Sequence, residues 1–173
     1  MIAACQGERV LELPEKGHAI WHFLFFIQRA NFCLKGDRWD IDFCDFVVFL
    51  HKYDCELALQ LLIEGVAGMP VEYAARPLLL FLIGIHAERY PLCARALDMP
   101  PQCWGDTPAD SRPPNVGDLT VSVLHPLAFS RNLFCRLPQD FLWALLHLPY
   151  QAADSADQGG LGDRFLSLIN YVV

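Results

Sequence analysis

The sequence predicts a mainly α-helical fold with a few short strands, and three observations lead to that prediction. The chain has 173 residues, of which 54% are hydrophobic and 19% are charged, so it can bury a substantial core. Apolar residues recur at helical spacing in several separate segments. Strand-like patterns occur only in two short stretches, Val10–Glu15 and Leu119–Val123. Helices therefore dominate the expected architecture.

The first elements combine an edge strand with a strongly apolar helix. Val10–Glu15 alternates apolar and acidic side chains around Pro14, which indicates an edge strand because proline lacks an amide donor. Gly17 then opens a helix. Its stretch Ala19–Gln28 is apolar on nearly every face, so we expect this helix to be central and buried on several sides.

Two shorter helices are predicted to follow in series. Carboxylates near a helix start satisfy free amide donors, so we expect the second helix to be capped near Asp40 or Asp42 and to end near Lys52. Asp54 is positioned to cap the third helix. The apolar residues that recur in this third helix are Leu57, Leu61 and Leu62.

The second half of the chain is divided by a proline-rich stretch. Pro77 suits the first turn of a helix that reaches about Tyr90, and Pro91 suits the start of another that ends near Leu97. Residues 98–118 contain five prolines and little periodic apolar signal, which indicates a long loop or linker.

Three elements are expected after this loop, and they give the chain four parts. The elements are a short strand at Leu119–Val123, a helix at Pro138–Leu148 and a terminal helix at Asp163–Val173. The four parts are residues 1–68, a helical extension at 69–97, the loop or linker at 98–118 and a helical C-terminal segment at 119–173.

Composition excludes several classes of function. The net charge is −7 and the 13 basic residues are scattered, so we expect no nucleic-acid partner. The longest uncharged run, Phe141–Ala153, is shorter than the roughly 18 residues of a membrane span. The N-terminus lacks a secretory signal, and the seven cysteines include no Cys-x-x-Cys. These features favour an intracellular protein, cytoplasmic or nuclear, with reduced thiols.

The patterns that carry chemistry are weak. His18 and His22 have the i, i+4 spacing of a metal-binding pair, but no third ligand follows, so ordinary histidines are favoured. His51 and Cys55 could approach each other across a helix boundary, but no second pair of ligands accompanies them, so ordinary structural roles are favoured. With seven cysteines and six histidines, a Cys–His nucleophilic pair can always be named. We therefore expect no catalytic, cofactor-binding or metal-binding residues, and no cofactor.

The aromatic residues of the first helix are expected to be core. They lie at helical spacing and are Trp21, Phe23, Phe25 and Phe26. If Trp21 and Phe25 are fully buried, replacing either with alanine should cost about 3–5 kcal/mol of stability.

Several motifs resemble the C-terminal half of a BTB/POZ domain, an α/β protein-interaction fold. The Leu-Pro-Glu turn at the end of Val10–Glu15 is similar to a strand end in that family, and Phe25-Phe-Ile27 is similar to an element of its buried helix. Phe46–Cys55 resembles the helix before the last one of the domain, and Lys52-Tyr53-Asp54 is its most specific part. The sequence His51–Glu56, followed later by Leu137–Leu146, is similar to that of fungal BTB proteins, which have helical C-terminal extensions.

The resemblance implies that residues 1–68 form a partial BTB/POZ-like domain that lacks the amino-terminal half. An apolar face of the Ala19–Gln28 helix would then be left uncovered. Many BTB proteins bind cullin-type ubiquitin ligases through an apolar-x-Glu motif, which matches Ile20-Trp21-His22 here. Because His22 replaces the glutamate, this partner is doubtful.

The sequence thus predicts a non-enzymatic protein-protein interaction module, for example an adaptor. It would bind a protein partner or a second copy through apolar helix faces. The candidate interaction residues are Ile20, Trp21, His22, Phe25 and Asp54. Two alternatives stay open: a small cysteine- or metal-dependent enzyme that uses His18 and His22 or a thiol, and a degenerate fragment with no independent function.

Overall fold

The computed structural model describes residues 14, 17–29, 32, 34, 38–70, 72–109, 112–113, 115–148 and 160–170. Within these residues the protein is mainly helical, which confirms the predicted fold class. The α-helices are α1 (Gly17–Arg29), α2 (Trp39–Lys52), α3 (Glu56–Ala67), α4 (Ala75–His86), α5 (Tyr90–Leu97), α6 (Arg131–Phe134), α7 (Gln139–His147) and α8 (Leu161–Asn170).

Helix α4 lies at the centre of the fold. All of its residues from Pro77 to Ile85 are buried, and α2, α3 and α5 pack against it. A helix that is apolar all round needs such a covering on several sides. Helix α8 packs on α5 and α7 and adds Phe165, whose ring centroid lies 5.5 Å from that of Phe81. The core therefore surrounds α4.

The central position predicted for Ala19–Gln28 is wrong. Helix α1 packs mainly against α2, and only Ala19, His22 and Phe26 of this helix are buried. Both α1 and α4 are strongly apolar, but α4 takes the interior place because α2, α3 and α5 pack against it and Phe165 of α8 contacts Phe81. Among the described residues, α1 forms an outer layer with one side uncovered.

The turn from α4 to α5 is tight and depends on a glycine. The backbone amide of Arg89 donates to the carbonyl oxygen of Gly84 over 2.8 Å, and Glu88 between them is in the left-handed region with φ of 55°. A Cβ added at Gly84 would lie 2.5 Å from Sγ of Cys93 and 2.9 Å from its backbone nitrogen. Glycine at this position therefore lets α5 pack directly on α4.

The predicted helix caps are wrong. Helix α2 begins after Arg38, and no side chain caps it. Asp40 instead lies inside the first turn, where its carboxylate is buried and accepts hydrogen bonds from Ser130 Oγ over 2.6 Å and from the backbone amide of Ile41. Its contact with Ser130 joins parts of the chain 90 residues apart.

Asp54 does not cap α3 either. It occupies the turn between α2 and α3 with φ of 52°, and Cys55 precedes the first helical residue without a capping side-chain bond. Asp tolerates this left-handed conformation better than most residues. The predicted end of α2 near Lys52 is confirmed.

Pro77 lies in the first turn of α4 as predicted, but this helix ends at His86 and does not reach Tyr90, which begins α5. The predictions based on Pro91 and Pro138 are confirmed. Pro91 lies in the first turn of α5, which ends at Leu97, and Pro138 immediately precedes α7. Helix α8 covers the described part of the predicted terminal helix. Residues 98–118 include a short 3₁₀ turn, Trp104–Asp106, whose tryptophan is fully buried in the core.

The strand predicted at Leu119–Val123 is wrong. A single antiparallel bridge between Ser122 and Cys103 is its only pairing in the described chain. Asp118 Oδ1 accepts hydrogen bonds from both the backbone amide and the hydroxyl of Thr120, and this local turn competes with extended pairing. The other predicted strand, Val10–Glu15, lies outside the described residues except for Pro14.

Two glycine substitutions test this packing. Gly84→Ala should lower the free energy of unfolding by about 2–3 kcal/mol, because the added methyl group overlaps Cys93. Gly65→Ala is the matched control: a Cβ there meets nothing within 4 Å, so alanine should stabilise α3 by roughly 0.5–1 kcal/mol. Urea denaturation measures both. Equal effects of the two substitutions would contradict the close approach of α5 to α4.

Candidate interaction surface

Three large apolar side chains lie exposed on one side of α1, which we call the outer face: Trp21, Leu24 and Ile27. Their exposed fractions are 54%, 54% and 59%. Residues three apart are neighbours on a helix surface, so these side chains form one continuous row. The outer face arises because α1 is apolar on nearly every side while α2 covers only one of them.

Aromatic contacts hold the inner side of α1 against α2. The ring centroids of Phe26 and Phe46 are 5.4 Å apart, and those of Phe23 and Phe49 are 5.1 Å apart. Such ring pairs contribute roughly 0.5–1.5 kcal/mol each beyond the area they bury. Helix α1 is therefore anchored firmly enough to present its outer face in a fixed orientation.

Histidine–carboxylate contacts add a second anchor along one edge of α1. Nε2 of His18 lies 3.0 Å from Oδ2 of Asp45, and Nη1 of Arg136 donates to Oδ1 of the same carboxylate over 2.8 Å. Asp42 Oδ1 is 3.8 Å from His18 Nε2, and Asp42 Oδ2 is 3.9 Å from His22 Nε2. Asp45 thus links α1 to the segment that follows α6.

His22 faces inward. Its ring stacks on Phe32 with centroids 4.7 Å apart, and its side chain is buried. Burial lowers the pKa of His22, and the neighbouring Asp42 carboxylate opposes that effect. Since this is the position at which the family resemblance would place a cullin-contacting residue, a direct contact there would require His22 to leave its present site.

The other predicted interaction residues fall into two places. Trp21 is exposed, its ring stacks on the half-buried Phe25 with centroids 5.2 Å apart, and Ile20 is half-buried beside them. Asp54 is exposed in the turn after α2, away from these four in the chain. The interpretation of Trp21 as core is wrong, because its side chain is 54% exposed and lies on the side of α1 that faces away from α2.

Leu24 and Ile27 are functional candidates that the sequence interpretation missed. Both lie within the apolar stretch and three residues from one another. Their helical register with Trp21 was a usable signal. It could not be interpreted without knowing which side of α1 meets α2.

Four of the described thiols have raised pKa values. Burial raises the pKa of Cys93 to about 12 and raises the pKa of Cys44 still further, with the nearby Asp40 carboxylate adding to the shift at Cys44. Burial also raises the pKa of Cys55 and Cys103. A reactive cysteine needs the opposite shift, so the environment of these four thiols does not favour nucleophilic catalysis.

The predicted histidine pair meets carboxylates in the structure. His18 and His22 both approach Asp42. Among the residues described, no cluster of three or more His, Cys, Asp or Glu side chains has an arrangement suited to a metal ion. None of the described helices is long and apolar enough to cross a membrane.

Comparisons with known proteins return no relative. No protein-family model, no curated protein and no solved structure matches this chain.

His86 is a buried titratable group that interacts with the charges of Arg136 and Asp45. It ends α4, and its Nε2 has no hydrogen-bond partner within the described part of the chain. Burial lowers its pKa from 6.5 to about 4, the Arg136 guanidinium acts in the same direction, and Asp45 opposes them. The folded protein therefore keeps His86 neutral at pH values where the unfolded chain would protonate it.

A pair of substitutions tests the division between the outer and inner sides of α1. Trp21→Ala should change the free energy of unfolding by less than about 1 kcal/mol, since the side chain is half in water. Phe26→Ala removes a buried ring and should cost about 3–5 kcal/mol. Chemical denaturation monitored by circular dichroism distinguishes them. A cost for Trp21→Ala as large as that for Phe26→Ala would show that α1 is packed on both sides.

His86 predicts a specific pH dependence of stability. Between pH 6.5 and about 4 the unfolded state binds a proton at His86 and the folded state does not, so stability falls as the pH falls. The loss should be on the order of 3 kcal/mol. In His86→Phe this contribution should vanish, and the free energy of unfolding should fall less steeply than in the wild type. Parallel curves for the two proteins would contradict the burial of a neutral imidazole.

Proposed function

We propose that this chain is a non-enzymatic protein-interaction module that self-associates through the outer face of α1. One observation carries the proposal: Trp21, Leu24 and Ile27 lie on one side of an anchored helix, and each of them is more than half exposed. Large aromatic and aliphatic side chains in a fixed orientation are typical anchors of protein interfaces.

The pattern of α1 supports a second copy of the chain as the occupant. Ile20, Leu24 and Ile27 follow the alternating four- and three-residue spacing of a helix-pairing seam. If two α1 helices pair antiparallel about Leu24, Trp21 of one copy faces Ile27 of the other, so one surface serves both partners. Such self-complementarity is what a two-fold symmetric interface requires.

Charge supports the same pairing. The chain carries a net charge of −7, which opposes close approach of two copies at random orientations. Helix α1 contains no aspartate or glutamate, and its only arginine, Arg29, lies over the Phe25 ring, 5.2 Å from the centroid. Contact through the outer faces therefore brings no carboxylates of α1 together.

The size of the surface predicts a weak dimer. Three half-exposed large side chains present roughly 300 Å² of apolar area, whereas a stable interface buries about 800 Å² on each partner. We expect association in the micromolar range or weaker. The resemblance to BTB/POZ proteins supports the same class of function. The raised pKa values of the Cys44 and Cys93 thiols weigh against these two residues as nucleophiles of the enzyme alternative.

Light scattering coupled to size-exclusion chromatography tests the proposal over a loading range of about 1 μM to 1 mM. The average mass of the wild type should rise toward that of a dimer, and Leu24→Asp should remain a monomer because two carboxylates would meet at the centre of the seam. Leu127→Asp is the matched control, because Leu127 is 59% exposed but lies on the 3₁₀ turn Pro126–Ala128, outside the outer face of α1. The Leu127→Asp variant should therefore dimerise as strongly as the wild type.

Two outcomes contradict the proposal. One is a wild type that stays monomeric at every concentration. The other is a Leu24→Asp variant that associates as strongly as the wild type, which would locate the interface elsewhere.

A further inference from the structure

An apolar cleft of about 260 Å³ lies beside the C-terminal end of α1. Its walls come from α1, α2, α3, α4 and the chain around Phe32. The side chains that matter for its chemistry are Phe26, Phe32, Phe43, Leu61 and Met69, with Gly65 at its edge. Every described lining residue is apolar or glycine, so none of the described side chains that face the space is ionisable.

The floor of the cleft is rigid and aromatic. Phe26 and Phe43 are almost completely buried, and the rings of Phe32 and Phe43 meet edge to face with centroids 5.1 Å apart. Aromatic groups prefer such edge-to-face or offset neighbours, and a methionine sulfur adds favourable contact with a ring. The walls therefore suit an aromatic occupant.

The volume limits the occupant to a small molecule. An apolar cavity of about 150 Å³ holds benzene, and pockets for drug-sized ligands begin at roughly 300 Å³. A volume of about 260 Å³ lies between these limits. It accommodates a one- or two-ring compound and not a whole helix of a partner protein.

The mouth of the cleft is open on the α3 side. A Cβ added at Gly65 would meet nothing within 4 Å, and Leu61 is 45% exposed at the same edge. A ligand can therefore enter past Gly65 without disrupting the core.

We propose that this cleft binds a small uncharged aromatic or alkyl-aromatic molecule. The hydrophobic effect and ring contacts supply the affinity, since the described side chains of the walls are apolar. A charged analogue should bind more weakly because its carboxylate would lose water without pairing with any of these side chains. This site shares no residue with the outer face of α1, so the inference stands independently of the proposed self-association.

Calorimetric titration of the full chain with indole tests the proposal. Indole should bind with one-to-one stoichiometry, and indole-3-carboxylate should bind at least about tenfold more weakly because of its charge. Gly65→Leu should also weaken indole binding by at least about tenfold, since its side chain fills the mouth of the cleft. Circular dichroism will show whether Gly65→Leu folds. If it does not, Leu61→Trp replaces it as the blocking variant, because it closes the same edge of the cleft.

Leu24→Ser is the matched control for this experiment. It changes an exposed residue of the outer face that does not line the cleft, so indole binding should be unchanged while self-association is lost. Indole binding without self-association, or self-association without indole binding, therefore shows which of the two proposals fails.

Three outcomes of the titrations with indole and its charged analogue overturn the inference. They are no saturable indole binding to the wild type, equal affinity for the charged analogue, and full affinity in both blocked variants. Tighter binding of N-acetyl-phenylalaninamide than of indole would also overturn it, because that result assigns the cleft to a side chain of a partner protein.

Discussion

Helix α4 buries every residue from Pro77 to Ile85, so it can exist only inside a shell of other helices. Helices α2, α3 and α5 supply that shell directly. The close approach at Gly84 brings α5 onto α4, and α8 then covers α5. The free energy of burying this apolar helix is thus shared by every element around it.

The same arrangement explains why the surface of α1 is free. Helix α2 has one side on α4 and another on α1, so α1 forms a second layer that is bound to the body through α2. Phenylalanine contacts and the contact of His18 with Asp45, which Arg136 also binds, fix the position of α1 without covering its outer face. An exposed apolar row on a fixed helix differs from a loose hydrophobic segment in the entropy that association costs. The helix is already ordered, so association does not pay a conformational cost to order it.

The sequence predicts some of these elements for clear local reasons. Proline at the start of α5 and just before α7 restricts the backbone there, and local restriction survives in any tertiary context. It could not rank α1 against α4, because both are strongly apolar and periodicity does not reveal which helix neighbours will surround. The sequence also favoured a capping role for Asp40. Its actual partner, Ser130, is 90 residues away in the chain, and no local pattern indicates such a contact.

The candidate sites were predictable to a different extent. The apolar helix and Trp21 were identified from the sequence, yet Trp21 was assigned to the core and Leu24 and Ile27 were missed. The exposed side of a helix depends on where its neighbour packs. The apolar cleft combines side chains from four helices and the chain around Phe32, so no local pattern could have indicated it.

Native-state hydrogen exchange tests the central claim, that α4 is the core and α1 an outer layer. The account predicts that amides of α4 exchange only through global unfolding, whereas amides of α1 exchange through a local opening of clearly lower free energy. Exchange of α1 amides as slow as that of α4 would contradict it, because it would mean that α1 is an integral part of the same buried core.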